Sequence, residues 1–241
     1  LGLRRKGYHV LPVTTDEIDL TLPQSIDQLL QKKVDYIFHL AAKVGVLSSW
    51  EDPISFISAN VNSTLHMLEY AKRTRTPLHY VSAYVYGSPK KLPITEEDIC
   101  APSNPYAQSK YMGEELCRFY HRSLGVSMTI SRPFNIYGLG QSKNFFIPFV
   151  VDQINTKDEI TINEGSPKMD YIYIYDVIDA CIAIMEKGRN GQTYNIGTGI
   201  SHSCEEVVSL LQEILQTNKA VNILNLFKIN DLIAHLPFQI N

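Results

Sequence analysis

Ser103-Asn104-Pro105-Tyr106-Ala107-Gln108-Ser109-Lys110 reads as the opening of a helix. Asn104 is a good N-cap, because its side-chain oxygen can accept from a free N–H of the first turn, and Pro105 suits the first helical position. Tyr106 then falls in the first turn and Lys110 one turn later, which puts a phenol and an ammonium on one face. The positive end of the helix dipole favours phenolate at Tyr106, and Lys110 adds a full charge nearby. Such a pair can act as an acid or a base. Tyr86 and Lys90 share the spacing, but Gly87-Ser88-Pro89 between them reads as a turn, where the spacing aligns nothing.

Working outward, this helix lies between two apolar runs, Leu78 to Ser82 and Ser127 to Arg132, that read as strands. The alternation continues along the chain. Strands are expected at His9 to Val13, Tyr36 to Leu40 and Tyr194 to Ile196, and helices at Gln24 to Lys32, Pro53 to Lys72, Pro105 to Leu124 and Val177 to Lys187. Short strands alternating with helices argue an α/β fold, a doubly wound parallel sheet covered on both faces. Gly125 and Gly188 follow helices as C-cap residues, and Ser203 with Glu206 forms a capping-box pattern. From Tyr137 to Lys168 the pattern weakens into Gly, Pro, Asn and aromatic residues, as expected of a lid or binding region. Val221 to Leu224 is a strand candidate.

The composition favours small-molecule partners. With 22 basic and 25 acidic residues the net charge is -3, which gives no footprint for nucleic acid or an anionic membrane. The four cysteines, Cys100, Cys117, Cys181 and Cys204, lie far apart with no Cys-x-x-Cys. Neither a disulfide framework nor a zinc site is expected, and a reducing cytoplasm fits best. The seven histidines have no metal-ligand spacing, so no metal is expected. No apolar run approaches the ~18 residues of a membrane helix.

Ser82-Ala83-Tyr84-Val85-Tyr86-Gly87 stands at the end of a strand, where parallel sheets of this kind place ligand-contacting groups. Ser82 is therefore a candidate partner of Tyr106. Its hydroxyl can hold a substrate oxygen while Tyr106 takes or returns the proton and Lys110 stabilises the phenolate. Taken alone, Ser82 reads equally as a strand-end hydroxyl bonded to backbone; the order Ser, then Tyr-x-x-x-Lys on the next helix, favours the catalytic reading.

With these residues the chain resembles the extended short-chain dehydrogenase/reductase family, and within it the NAD-dependent epimerases and dehydratases of nucleotide sugars. Further segments carry the resemblance from about Gly2 to Leu211. Gly7-Tyr8-His9-Val10 looks like the turn into the family's second strand. Asp19-Leu20-Thr21 is similar to the segment whose Asp contacts adenine, and Phe38-His39-Leu40-Ala41-Ala42 resembles the strand and turn beside the cofactor. The resemblance thus implies cofactor contacts at Asp19, Leu20, Leu40, Ala41, Ala42, Tyr106 and Lys110. Asn60-Val61-Asn62-Ser63-Thr64 is similar to a helix motif whose first Asn supports the active site, which adds Asn60 to Ser82, Tyr106 and Lys110 as catalytic residues. Ser131-Arg132-Pro133-Phe134-Asn135-Ile136-Tyr137-Gly138 looks like the strand and loop that meet the substrate diphosphate at Asn135. Asp170 to Val177 and Tyr194 to Gly199 complete the set. Substrate contacts are implied at Ser82, Ala83, Asn135 and Lys168, the last because Met169 stands where many members have a phosphate-binding Arg.

The resemblance implies a Rossmann-like NAD(P)-binding domain over residues 1–136 and 168–198, and a substrate-binding region over 137–167 and 199–241. NAD is the first choice of cofactor, with Asp16 close enough to the end of the second strand to meet the adenine ribose, and NADP stays open. The implied partners are a nucleotide-diphosphate sugar and a second copy of the chain, through a bundle of the helices at Pro53 to Lys72 and Pro105 to Leu124. Family members that dehydrate the sugar carry an acid at the place of Tyr84. The reductases that make GDP-fucose carry a Cys just after the Ser, where Ala83 or Tyr84 stands, and a His at the place of Gly140. The residues therefore favour 4-epimerisation through a transient 4-keto sugar, the alternatives being a reductase or dehydratase on a similar substrate and a non-catalytic member.

The family's dinucleotide fold opens on a strand and a Gly-x-x-Gly-x-x-Gly turn, and Gly2, Gly7 and Gly45 do not make one. The sequence is read as an N-terminally truncated fragment with intact catalytic residues. That turn supplies backbone donors to the pyrophosphate at a helix N-terminus. Calorimetric titration of NAD into residues 1–241 is accordingly expected to show binding weaker than low micromolar, and low-micromolar binding would mean a cofactor site built differently from the family's.

Overall fold

Burying apolar strand residues on two faces requires helices on both, and the computed structural model, which describes residues 2–163 and 168–224, has that arrangement. In chain order its elements are α1 (Gly2–Arg5), α2 (Ser25–Leu29), β1 (Ile37–His39), α3 (Val46–Glu51), α4 (Pro53–Thr74), β2 (Leu78–Val81), α5 (Pro105–Leu124), β3 (Met128–Pro133) and β4 (Asn135–Tyr137). There follow α6 (Phe146–Thr156), β5 (Glu159–Asn163), β6 (Met169–Tyr173), α7 (Ile174–Lys187), β7 (Thr193–Ile196), β8 (Ser201–His202), α8 (Cys204–Ile214) and β9 (Ala220–Leu224). The chain divides into two compact units, Leu1–Ile136 with Ile172–Gly197, and Tyr137–Tyr171 with Thr198–Asn241.

The first unit is a Rossmann-like α/β layer structure. Its sheet runs β1-β2-β3-β7, and every neighbouring pair is parallel. Side chains alternate across a strand, so Leu78 and Tyr80 join Met128 and Ile130 under α4 and α5, packed on Leu68 and Cys117. On the opposite face Phe38 and Val81 pack with Val177, Cys181 and Ile184 of α7. The two long helices start and stop where the sequence says. Asp52 caps α4 by accepting from Ser55 N, and Asn104 caps α5 by accepting from Ala107 N at 2.8 Å. Gly125 ends α5 at φ 72°, a left-handed conformation that glycine adopts without strain. Gly113 has a different purpose: a Cβ there would lie 2.3 Å from Tyr80 Oη, so α5 can rest on β2 only where it carries no side chain.

Several expectations need correction. His9 to Val13 forms no strand: Gly7 turns at φ 87° as expected, but the following residues have no ladder partner among the described residues. A strand exists only through its hydrogen-bonded neighbour, and here Val13 is held by side-chain packing against the core alone. The second helix is shorter than Gln24 to Lys32. Gly188 does follow α7, yet at φ -65° and not in the left-handed region.

The second unit is more regular than the weak pattern from Tyr137 to Lys168 suggested. It contains α6 and β5, elements that the lid or binding region expected from Tyr137 to Lys168 did not specify. Pro148 in an apolar run looks like a helix breaker, but it lies in the first turn of α6, where no intrahelical N–H is needed. Val150 and Ile154 of α6 pack with Ile160 and Ile162 of β5 and Val208 of α8. β5 pairs in parallel with β9, the strand expected at Val221 to Leu224. Gln153 reaches from α6 to Thr161, accepting from its N at 2.9 Å and donating to its O at 3.1 Å, and so takes the place of a strand neighbour. The capping box at Ser203 and Glu206 is complete in both directions. Residues 164–167 and 225–241, part of the expected substrate-binding region, lie outside the described residues.

On the α7 face of the sheet, His79 is wholly buried and bridges β2 to β3, with Nδ1 2.9 Å from Thr129 Oγ1 and Nε2 3.0 Å from Ser131 Oγ. Burial lowers its pKa to about 4. An unfolded histidine titrates near ~6.5. Between these values the unfolded chain binds a proton that the folded chain refuses, so stability falls as pH drops through this window. His79→Gln, which stays neutral and keeps a donor and an acceptor, should flatten that fall by on the order of 3 kcal/mol at pH 4. Urea unfolding at a series of pH values measures the slope; an unchanged slope would show that His79 does not set it.

Candidate active site

In the first unit, Tyr106 and Lys110 lie one turn apart on α5. Tyr106 is half-buried, with its ring edge-on to Phe56 of α4 at 6.4 Å between centroids. Lys110 is 2% exposed. Its ammonium lies over the Tyr80 ring, 4.3 Å from the centroid, and Tyr80 Oη donates to the Lys110 carbonyl at 3.1 Å. A cation on an aromatic face is attracted by the ring quadrupole, and more strongly where water is absent. Burial lowers the ammonium to about 8, against which Cys117 and Glu114 raise it. Burial pushes the Tyr106 phenol up to about 12, so at neutral pH it keeps its proton. The helix dipole and Lys110 had been expected to favour the phenolate; without a ligand, loss of water outweighs them.

Ser82 follows Tyr80 by two residues at the end of β2, in the same unit. Its hydroxyl is buried and has no partner at hydrogen-bonding geometry, although it lies near enough to Glu114 to help hold that carboxylate low, after Arg132. Buried polar atoms are nearly always paired, and an unpaired one beside a titratable centre fits a group that waits for a ligand. Ala83 is buried next to it. Tyr84 Oη donates to Gly87 O at 2.9 Å, and its ring meets those of Tyr86 and Phe134 edge-on. That hydroxyl is therefore engaged in the turn.

Asn60 is 1% exposed and joins three elements. Its Oδ1 accepts from Lys43 N at 2.6 Å, and its Nδ2 donates to Lys43 O at 3.0 Å and to Ser109 Oγ at 2.8 Å. Ser109 in turn donates to Tyr106 O at 2.7 Å. The loop after β1 is thus fixed to the turn of α5 that carries Tyr106. In that loop Leu40 and Ala41 are exposed and Ala42 is half-buried. His39, buried beneath them, sits 3.1 Å from Thr64 Oγ1 and is held neutral, burial and Lys110 lowering it to about 3.

Asp19 and Leu20 occupy a separate turn. Asp19 accepts from the N and Oγ1 of Thr21 at 2.9 and 2.7 Å. Leu20 O accepts from His66 Nδ1 at 2.8 Å, which ties the turn to α4. Asn135 is half-buried in β4. Lys168, in the second unit, is exposed and paired with Glu206 at 2.9 Å, so its ammonium is already engaged.

Residue-by-residue reading missed Glu114, Arg132 and Tyr86, all buried in the first unit. A signal for Glu114 was present: Tyr106, Lys110 and Glu114 continue the four-residue spacing along one helix face. Among the described residues no group of three or more His, Cys, Asp or Glu could hold a metal, and no helix is long and apolar enough to cross a membrane.

A parallel sheet with helices on both faces, a strand-end serine and a Tyr-x-x-x-Lys helix together define an extended short-chain dehydrogenase/reductase. Residues 2–197 match the NAD dependent epimerase/dehydratase family, and the chain belongs to that family. It is 31% identical over 227 residues to a GDP-6-deoxy-D-mannose reductase of Pseudomonas aeruginosa, covering 90% of this chain and 74% of that protein. It is 32% identical to a GDP-6-deoxy-D-talose 4-dehydrogenase of Aggregatibacter actinomycetemcomitans, covering 87% and 72%. Among solved structures, RMD from Pseudomonas aeruginosa complexed with NADPH superposes with a TM-score of 0.82 at 29% identity, covering 90% of this chain and 78% of that one. The chain spans 60% of the length of another relative, from Methanocaldococcus jannaschii.

The Asn60 clamp makes a specific expectation. Asn60→Ala leaves Lys43 N, Lys43 O and Ser109 Oγ to find other partners in a part-buried site, and each buried polar group left unpaired costs roughly 1–3 kcal/mol. Chemical denaturation should show a loss in that range or above, and a change below ~0.5 kcal/mol would mean that the clamp is redundant.

Proposed function

We propose that the protein is a nucleotide-sugar oxidoreductase that reduces a 4-keto sugar, or oxidises the matching alcohol, with Tyr106 as the acid or base. What supports this reading is a phenol that keeps its proton at neutral pH and a buried ammonium one turn along the same helix, in the unit that also buries the Ser82 hydroxyl just past β2, the strand whose Tyr80 lies against Lys110. A carbonyl undergoing reduction needs a hydrogen-bond donor and then a proton. Tyr106 Oη holds such a proton at neutral pH, Ser82 Oγ orients the oxygen, and the Lys110 charge stabilises the phenolate left behind. Asn60 fixes the turn that aims the phenol. Likeness to a GDP-6-deoxy-D-mannose reductase and a GDP-6-deoxy-D-talose 4-dehydrogenase supports this choice.

The residues fit the nicotinamide half of a dinucleotide. Lys110, Tyr106, the exposed Leu40 and Ala41 and the half-buried Ala42 would hold it, with Asp19 and Leu20 toward the adenine end. NAD or NADP, when bound, supplies or accepts the hydride. For the pyrophosphate, the described residues contain no glycine-rich turn between a strand and a helix N-terminus. Asn135 is the proposed contact to the substrate diphosphate, and the pairing of Lys168 with Glu206 would have to open for it to serve.

The 4-epimerase reading rested on the lack of an acid at Tyr84 and of the Cys and His of the GDP-fucose-forming reductases. Tyr84, bonded to Gly87, supports no dehydratase step. The missing Cys and His argue only against epimerisation coupled to reduction, and leave simple 4-keto reduction open. Reduction and 4-epimerisation share the first hydride transfer at Tyr106, and they differ in whether the cofactor leaves changed. The proposal includes a homodimer through α4 and α5, where Met112 and Phe119 are exposed apolar residues of α5.

Incubation of the full-length protein with GDP-, UDP- and dTDP-linked 4-keto-6-deoxyhexoses should consume NADH or NADPH one for one with a single sugar. Tyr106→Phe should slow that reaction by ~10²- to 10⁴-fold. Interconversion of two 4-epimers without net redox change would return the choice to an epimerase, and full turnover by Tyr106→Phe would remove this tyrosine from the chemistry.

A further inference from the structure

The first unit buries a second charged group along the line of Tyr106 and Lys110. Glu114, with no exposed surface, meets Arg132 as a fork, Nε lying 3.0 Å from Oε1 and Nη2 2.7 Å from Oε2, and takes another bond from Arg118 Nη2 at 2.8 Å. Burial works to raise its carboxyl, but the bonds and charge of Arg132, then Ser82 and Arg118, hold it below the usual carboxylate range. A buried ion pair is weak grounds for stability, since desolvation offsets much of the attraction; its best use is to fix geometry. The bonds of Arg132 indicate which geometry. Its Nη1 donates to Tyr86 Oη at 2.7 Å and to Glu96 O at 3.2 Å, and Tyr86 Oη donates to Asn195 Oδ1 at 2.6 Å. Glu96 closes the set by accepting from Asn195 N at 2.7 Å. Tyr86 and Glu96 belong to the connection between β2 and α5, which begins at Ser82 and ends at Asn104, the cap of the helix that carries Tyr106.

We infer that Glu114 and Arg132 form a positioning pair for the proton-transfer centre, Glu114 supporting the buried Lys110 ammonium from one turn along α5 while Arg132 holds the β2–α5 connection, and with it Ser82, against the same helix. The functional meaning of the pair rests on the proposed role of Tyr106 and Lys110. Its electrostatics do not. His39 from β1, Tyr80 from β2, and Glu114 and Cys117 from α5 face Lys110, Tyr106 precedes it by one turn on α5, and α4 brings the uncharged Asn60 and Thr64 to this neighbourhood through Ser109 and His39. Of these, Glu114 is the charged carboxylate, so its removal takes from Lys110 the one anionic group among them.

The test is a pH titration of Lys110 by NMR on the ligand-free protein labelled at lysine Cε, in parent and Glu114→Gln, together with the reductase assay on Tyr86→Phe in the full-length protein. Glu114→Gln should move the Lys110 midpoint to lower pH. A loosened helix would instead admit water and move it up, toward ~10.4; an upward or absent shift therefore overturns the role of Glu114. Tyr86→Phe keeps the ring and removes only the bridge from Arg132 to Asn195. It should lower kcat ~10-fold or more, since small misplacement of reacting groups is costly, with KM for NADPH within about twofold and an unchanged melting temperature; a parental kcat overturns the role of Arg132. If Tyr106→Phe itself keeps turnover, the proposed function fails, and the Lys110 titration still decides on Glu114.

Discussion

A full positive charge, 2% exposed, has to be held inside the first unit, and much of its architecture follows from that need. Lys110 has no room to reach water, so its ammonium is supported by the Tyr80 ring below and the Glu114 carboxylate one turn away. Tyr80 can lie there because Gly113 gives it space. Glu114 stays charged because two arginines bind it, and one of these, Arg132, is the last but one residue of β3. Thus the helix, two strands and the connection between them are set by a chain of requirements that starts from one lysine.

The neutral groups around this centre are arranged with the same economy. His39 and His79 are buried on opposite faces of the sheet, and burial keeps both uncharged. His39 sits beside Lys110, where a second cation would be repelled. His79 is bonded to two hydroxyls across a strand pair and fixes their register from within. Asn60 does with one amide what a longer element would otherwise do, holding a loop and a helix turn together at their backbones.

How much of this was legible depended on whether the signal was local. The caps at Asn104 and Ser203 and the stop at Gly125 are written in a few adjacent residues, and the structure has them where the sequence puts them. Tyr106 and Lys110 share a face because helical geometry leaves no choice. The strand at His9 to Val13 failed because pairing is not local: its short apolar run is real, yet a ladder requires a neighbour that no stretch of the described chain provides. α6 was hidden for a different reason: the Gly, Pro and Asn residues around it weaken the pattern, while Pro148 itself lies in the first turn, where a proline is tolerated. Glu114 and Arg132 come together from α5 and β3, 18 positions apart, and only the continued spacing from Lys110 hinted at the first. Tyr86 stood within a quoted motif, but its partners, Arg132 and Asn195, are far along the chain.

Gly113 also bears on how the protein can be changed. Replacing a helical glycine by alanine is an ordinary way to stiffen a helix, worth close to ~1 kcal/mol where the site is open. Here the added methyl would meet the Tyr80 hydroxyl at 2.3 Å, and the ring that moved aside would be the one beneath the Lys110 ammonium. A substitution chosen for helix propensity would therefore register first in the chemistry of a lysine three residues away, and a screen for heat resistance alone would not see why.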